Sequence, residues 1–332
     1  MAKPFNILVI GPSWVGDMVM AQSLFSVLKQ QHPGCRIDVL APAWSLQLLQ
    51  RMPQVHQAIA MPFGHGQFDL PGRVRIGRGL RNHQYDQALV LPNSWKSALI
   101  PFFAGIPKRT GYIGEMRWGL LNDARKLDKS RLTMTVQRFV ALADPGILEY
   151  PFPRLAISPA QQQAVAAKFA VNNDAKILAL CPGAEYGPAK RWPSEHFAAV
   201  ASHMHQHGWQ VWLLGSDKDK PVAEQIDSLS GQVCRNFSGS TNLAEAVDLM
   251  SLADVVVSND SGLMHVAAAL DKKLIALYGS SDPGFTPPLH QDAEIITLKL
   301  ACSPCFKREC PLGHTRCLTD IAPERVIAAI PT

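Results

Sequence analysis

The sequence predicts an α/β fold of two doubly wound, Rossmann-like domains, and three observations carry that expectation. The chain has 332 residues, more than one hydrophobic core usually supports. Short apolar runs alternate with stretches of helical period, the pattern of parallel sheets covered by helices. The alternation stops once and restarts, so two such units follow one another along the chain.

In the first series Asn6–Ile10 is an apolar run of strand length, and Met18, Ala21, Leu24, Phe25 and Leu28 then recur on one face of a helix. Arg36–Leu40, Ala58–Met61, Gln87–Leu91 and Arg109–Tyr112 are the strands that follow. From Asp144 to Pro159 there are four prolines and no strong periodicity, which places the linker there. The second series restarts at Lys176–Cys181 and runs through Gln210–Leu214, Val233–Phe237, Val255–Ser258 and Leu274–Tyr278, each ended by a turn signal. The expected domains are residues 1–155 and 156–332, with the last helix of the second packing back on the first.

Two such domains are expected to face each other across a central cleft, with ligands at the carboxyl ends of the strands. After the first strand, Gly11-Pro-Ser-Trp-Val-Gly16-Asp17 brings a carboxylate to the start of a helix. The loop has neither G-x-G-x-x-G nor the Gly-Lys-Ser/Thr of a P-loop, which argues against a dehydrogenase or an ATPase. Asp17 has two readings: a helix-start acid that meets free N–H groups and the positive dipole end, or a base delivered to the cleft.

In the second domain, Cys181-Pro-Gly-Ala-Glu-Tyr-Gly-Pro-Ala-Lys190-Arg-Trp-Pro193 is an open loop in which Lys190 and Arg191 are either cationic donors to a diphosphate or a solvated surface pair. Val255-Val-Val-Ser258-Asn259-Asp260-Ser261-Gly262-Leu-Met-His265 is a β-branched strand ending in a polar turn. Gly262 opens the following helix, whose free N–H groups suit phosphate. His265, three residues on, faces the same site or makes an ordinary polar contact. The loop Tyr278-Gly-Ser-Ser-Asp282-Pro-Gly-Phe-Thr-Pro-Pro288 is too rich in turn residues to be helical and is expected to close the pocket.

Composition sets the limits. With 47% hydrophobic and 18% charged residues the chain is an ordinary globular protein. The apolar start Ile7–Ile10 is too short for a secretory signal or a membrane span, so a cytoplasmic location with reduced cysteines is expected. The net charge of +5 divides unevenly: residues 1–155 carry 18 Lys and Arg against 9 Asp and Glu, and the remainder 14 against 18. A basic first half, with Arg73, Arg75, Arg78 and Arg81 in one short stretch, suits a polyanion such as a nucleic acid, an anionic lipid or a phosphorylated glycan, or is a solvated basic face.

The Gly11-to-Asp17 opening, Lys190-Arg-Trp-Pro, Ser-Asn-Asp260-Ser-Gly-Leu-Met-His265 and Tyr-Gly-Ser-Ser-Asp-Pro together resemble the lipopolysaccharide heptosyltransferases. Leu91-Pro-Asn-Ser-Trp-Lys-Ser-Ala-Leu and Phe102-Phe-Ala-Gly-Ile-Pro-Lys-Arg-Thr-Gly are more similar to heptosyltransferase II than to heptosyltransferase I. The resemblance spans nearly the whole chain. It implies the GT-B fold, an ADP-heptose donor and the first heptose of the lipopolysaccharide inner core as lipid-linked acceptor. It also implies inversion at the anomeric carbon, no required cofactor or metal, and work at the inner face of the cytoplasmic membrane without nucleic acid. Asp17 is then the general base, Lys190 a donor-phosphate contact, and Asp260, Ser261, Gly262 and His265 the nucleotide-sugar site. An adenosine-binding acid is expected at Asp217 or Asp219.

Transfer to another core position, a GT-B sugar-nucleotide epimerase and a non-catalytic glycan- or nucleotide-binding protein are the rival functions. The C-terminal Cys302-x2-Cys305-x4-Cys310-x6-Cys317 departs from the family pattern. Four thiols this close suit a structural zinc, inert thiols or redox chemistry.

Overall fold

The computed structural model describes residues 4–64, 66–147, 149–172 and 174–331. It forms two compact units, one ending at Pro153 and the next beginning at Arg154. The division falls within the proline-rich stretch, two residues before the expected boundary. Leu155 goes with the second unit because its N–H donates to Ala269 O at 2.8 Å.

The first unit is one parallel six-stranded sheet made of β1 (Asn6–Ile10), β2 (Arg36–Pro42), β3 (Gln57–Met61), β4 (Gln87–Val90), β5 (Lys108–Tyr112) and β6 (Asp123–Arg125). The order across the sheet is β3-β2-β1-β4-β5-β6. β1 lies at the centre, pairing β2 through Val9↔Val39 and β4 through Val9↔Leu89. Its apolar side chains point to both faces and are fully buried, as expected of a strand covered by helices on either side.

The second unit repeats the plan with β7 (Ile177–Cys181), β8 (Gln210–Leu213), β9 (Cys234–Asn236), β10 (Val255–Asn259), β11 (Lys273–Tyr278) and β12 (Glu294–Thr297). Its order, β12-β11-β10-β7-β8-β9, is that of the first sheet written from the other edge. Its core gathers Leu178, Leu180, Val257 and Ile275 from the strands and Phe197 and Ala201 from a covering helix. The last helix, Pro323–Ile327, enters this same core through Val326 and packs against the helix Ser194–Gln206.

The central strands match the apolar runs of the sequence. The two strands without such a run are β6 and β12, both at sheet edges. β6 is held by polar bonds instead: Gln87 Nε2 donates to Thr110 Oγ1 at 3.0 Å, and Thr110 Oγ1 donates to Asp123 Oδ2 at 2.9 Å. This chain crosses β4, β5 and β6 through a threonine that is fully buried. Replacing Thr110 by the isosteric valine keeps the shape but leaves the Gln87 amide buried without its acceptor. Thr110→Val should therefore destabilise the first unit by about 1–3 kcal/mol, read as a lower urea midpoint; an unchanged midpoint would show that the polar chain adds nothing.

Candidate functional site

In both sheets the strand order reverses beside the first strand of the unit, between β1 and β4 and between β7 and β10. Connections leave such a point in opposite directions, and the crevice they open at the carboxyl ends of the strands is where doubly wound folds bind ligands. The loops after β1, β7 and β10 are those the sequence marked.

In the second unit one side chain sets the geometry. Asn259, the last residue of β10, is fully buried. Its Oδ1 accepts from the Trp192 N–H at 3.1 Å, and its Nδ2 donates to Pro182 O at 2.7 Å. The two ends of the loop after β7 are thus tied to the end of β10. Lys190, on that loop, extends its ammonium to Asp260 Oδ2 at 2.5 Å. Asp260 is 5% exposed and the Lys190 side chain 17%, so the pair is sheltered but open on one side. An ammonium has three donors, and Asp260 takes one.

The helix Gly262–Ala269 begins two residues after Asp260, with Ser261 at its cap making no side-chain capping bond. Its first N–H groups have no intrahelical partner, as at any helix start. His265 is buried in its first turns. Burial pushes its pKa down to about 4; the Asp260 carboxylate opposes the shift and the Lys190 ammonium adds to it. At neutral pH it is an uncharged imidazole.

The loop after β11 brings two more groups. Ser280 and Ser281 are buried, and their hydroxyls find no partner among the described residues. The loop runs beside the β10 turn, since Asp260 N donates to Leu277 O at 3.1 Å. The sequence marks these serines as turn formers, and their burial comes only from the packing of the loop.

The cysteine segment braces this loop. Phe306 N donates to Ser280 O at 2.7 Å, the Ser303 hydroxyl donates to Gly279 O, and a Cβ on Gly279 would lie 3.1 Å from Cys317 Sγ. Burial pushes the Cys317 thiol pKa up, and the neighbouring Cys302, Cys305 and Cys310 push it further the same way. Cys310 is shifted down by backbone N–H groups, that of Thr315 foremost. All four thiols are free, and among the described residues no group of three or more His, Cys, Asp or Glu side chains is set to hold a metal ion.

The same segment supplies residues that no motif announced. Arg308 lies over the Tyr186 ring at 5.4 Å, and Lys190 over the same ring at 5.1 Å. Arg308 O accepts from Ala189 N at 3.0 Å, and a Cβ on Gly187 would meet that oxygen at 2.5 Å, so the close approach requires glycine. Arg191 belongs to the sequence pair, but the ion pair and the ring contact are made by Lys190. Of the two candidate acids, Asp219 accepts from Ser216 N at 2.9 Å and Ser216 Oγ at 2.7 Å, and its carboxylate packs on Gly183, where a Cβ would be 2.5 Å from both oxygens. Asp217 is exposed.

In the first unit Asp17 is half-buried in the first turn of the helix Val15–Gln31. The cap position is Trp14, which is 44% exposed and makes no side-chain capping bond. Gly11 lets β1 turn closely, since a Cβ there would meet Met18 Cε at 2.8 Å and Ala41 Cβ at 3.1 Å. Of the arginine cluster, Arg75, Arg78 and Arg81 are exposed but Arg73 is not. Its guanidinium lies over Phe63 at 4.8 Å and donates to Gln67 O and Lys96 O. Burial lowers its pKa, with Asp69 opposing the shift. It is a structural cation, which a count of charges along the sequence does not reveal.

The buried histidine makes a testable link to stability. A group whose folded pKa is depressed leaves the unfolded state holding more protons between the two values, so stability is present above the unfolded value and is lost as pH falls through the window. For His265 that window runs from 6.5 down to about 4. Its contribution there should be roughly 3 kcal/mol. Chemical unfolding of the wild type and of His265→Gln across that range should show the smaller acid loss in the variant; parallel curves would mean that the histidine is not what titrates.

Comparison with known proteins identifies the fold and the family. The family model described as glycosyltransferase family 9 (heptosyltransferase) matches residues 73–316. The chain is 49% identical to lipopolysaccharide heptosyltransferase 2 of Salmonella typhimurium and 48% identical to that of Escherichia coli, in each case over 97% of this chain and 96% of the relative. It is 49% identical to lipooligosaccharide heptosyltransferase 2 of Haemophilus influenzae over 97% of both. The solved structure of the E. coli ADP-heptose lipopolysaccharide heptosyltransferase II superposes with a TM-score of 0.88 at 44% identity, covering 98% of this chain and 97% of that one. The α/β, GT-B type fold expected from the sequence is the fold of these enzymes. The chain belongs to glycosyltransferase family 9, the heptosyltransferases.

Proposed function

We propose that this enzyme transfers L-glycero-D-manno-heptose from ADP-heptose to the first heptose of the lipopolysaccharide inner core, with inversion, at the inner face of the cytoplasmic membrane. The observation that carries the donor side is the meeting of Lys190, Asp260 and the start of the helix Gly262–Ala269 at the carboxyl end of β10. Asp260 orients the ammonium and leaves two of its protons for the oxygens of a diphosphate. The helix start adds free N–H groups and its positive dipole end. Together they favour the charge that builds on ADP as the bond from the anomeric carbon to the diphosphate oxygen breaks. His265, uncharged, serves as a polar wall there, and Ser280 and Ser281 offer hydroxyls of the kind a phosphate binds. The names of the relatives at 48–49% identity support heptose as the sugar and lipopolysaccharide as the acceptor.

Asp17 takes the remaining role. The acceptor hydroxyl attacks the anomeric carbon from the face opposite the diphosphate, its oxygen forms the new glycosidic bond, and its proton passes to the Asp17 carboxylate. No bound metal is needed, because the lysine and the helix start supply the charge stabilisation that a cation would give. The membrane association follows from the acceptor being lipid-linked. No helix among the described residues is long and apolar enough to cross a membrane, so attachment is expected to be at the surface.

Incubating the purified protein with ADP-heptose and a core acceptor carrying one heptose should raise the acceptor mass by one heptose residue. Formation of a new sugar nucleotide from the donor alone would point instead to an epimerase. Excess EDTA should leave the rate unchanged, and a loss restored by a divalent cation would refute metal-independent transfer. Asp17→Asn should slow transfer by roughly a hundredfold to ten-thousandfold. Donor affinity should hardly move, and Tm should fall only slightly, since Asp17 stands in the first turn and its charge there is worth about 0.3–1 kcal/mol against the helix dipole. Near-normal turnover in that variant would leave Asp17 as a helix-start residue only.

A further inference from the structure

The outer face of the first unit's helix Leu70–Leu80 has an unusual composition for a solvent-exposed surface. Leu70, Val74, Arg75 and Arg78 line one shallow recess on it, and Leu70 is 41% exposed. Just before the helix, the Phe68 ring leans on Trp95 with ring centroids 5.0 Å apart and planes tilted by 46°, and both rings remain open to solvent, Phe68 at 51% and Trp95 at 38%. Buried Arg73 makes this one firm surface. Its guanidinium bonds Gln67 O on the aromatic approach and Lys96 O beside Trp95, so the helix, Phe68 and Trp95 are held together. From Leu70 to Tyr85 the chain carries four arginines and no Asp or Glu. The flanking Asp69 is engaged at the helix cap, accepting from Gly72 N at 2.9 Å.

Exposed apolar residues scattered singly need no explanation. An exposed aromatic pair close to a leucine and two exposed arginines is a different case, because it matches both layers of a lipid surface at once. Aromatic rings and leucine favour the boundary between headgroups and acyl chains, and arginine the lipid phosphates. A second copy of the chain is a poorer occupant, since a twofold contact on this face would gather the arginines of both copies in one interface with no Asp or Glu from Leu70 to Tyr85 to pair them.

We propose that this face docks the enzyme on an anionic bilayer, with Phe68, Leu70 and Trp95 in the headgroup layer and Arg75 and Arg78 against lipid phosphates. The proposal rests on the reading of a membrane-borne acceptor and names the surface that this reading leaves open. Phe68 and Trp95 follow β3 and β4, so they stand at the carboxyl end of the sheet, as does the loop after β1 that leads to Asp17. A bilayer docked here meets the end of the sheet from which the base projects.

The test uses the full chain, phosphatidylcholine vesicles with and without phosphatidylglycerol, and the double variants Arg75→Glu/Arg78→Glu and Phe68→Ser/Leu70→Ser, with melting curves to confirm folding. The wild type should sediment with the anionic vesicles and be released by salt, and each variant should lose at least about tenfold in partitioning. Both variants should transfer heptose to a delipidated, water-soluble acceptor at the wild-type rate. Unchanged vesicle binding in the variants would overturn the proposal. So would a matching loss of transfer to the soluble acceptor, which would make the face part of the acceptor site, or a wild-type dimer that the variants dissociate. Failure of the wild type to use either acceptor would strike the functional reading instead, while its vesicle binding would still decide the docking face.

Discussion

The second unit depends on a buried amide. Asn259 ends the central strand β10 and ties Trp192 N and Pro182 O to it, so a loop of eleven residues is fixed at both ends by one side chain. A carboxylate could not donate to Pro182 O, and an apolar residue would leave both backbone groups unsatisfied in a dry interior. With the loop closed in this way, Lys190 arrives at Asp260 without a mobile stem, and little order remains to be gained when a ligand binds. Trp192 is part of the same constraint. Its indole N–H donates to Ile321 O at 2.9 Å, which joins the loop to the C-terminal segment.

The electrostatic logic of the site follows from that rigidity. A sheltered carboxylate beside a sheltered ammonium neutralises it while keeping its position, and pairing is what makes burial of either tolerable. The ammonium also sits over the Tyr186 ring, whose other cationic neighbour is Arg308. Two cations on one ring repel each other, and an anion entering between them relieves that repulsion. The uncharged His265 completes the setting. A charged imidazole beside Lys190 would have added a third positive group in a place too dry to solvate it.

Much of this was legible in the sequence, and the exceptions share a cause. The central strands showed as apolar runs because both of their faces are buried, and the loops showed as motifs because glycine, proline and capping residues mark turns directly. The edge strands β6 and β12 were not visible. Asp-Ala-Arg has no apolar run, and its place in the sheet is marked by the bonds from Gln87 to Thr110 and from Thr110 to Asp123, groups that only the fold brings together. Lys190, Asp260 and His265 converge as their spacing after the strands suggested. Tyr186, Arg308 and the two buried serines do not belong to one segment, and their roles are made by approach across the fold. Arg73 shows the reverse error, a residue counted with a surface cluster that tertiary packing takes inside. The place of Asp17 at a helix start was readable, but a helix-start acid and a base look alike until turnover is measured.

The identical strand order of the two units has a consequence for how the chain is made. Every strand of the first sheet, edge strand β6 included, is complete before Pro153, so that sheet lacks nothing when the ribosome moves on to the second. The second core is different, because Ile321, Val326 and Ile330, far along the chain from Trp192 and Phe197, are buried in it with them. It cannot close while those residues are still inside the exit tunnel. Synthesis therefore produces a finished first unit and an unfinished second one whose parallel strands stay exposed until Ile330 has emerged, and parallel sheets that await distant segments are slow to form and prone to aggregate. The vulnerable interval in the life of this enzyme is therefore the stretch of synthesis between Arg154 and Ile330.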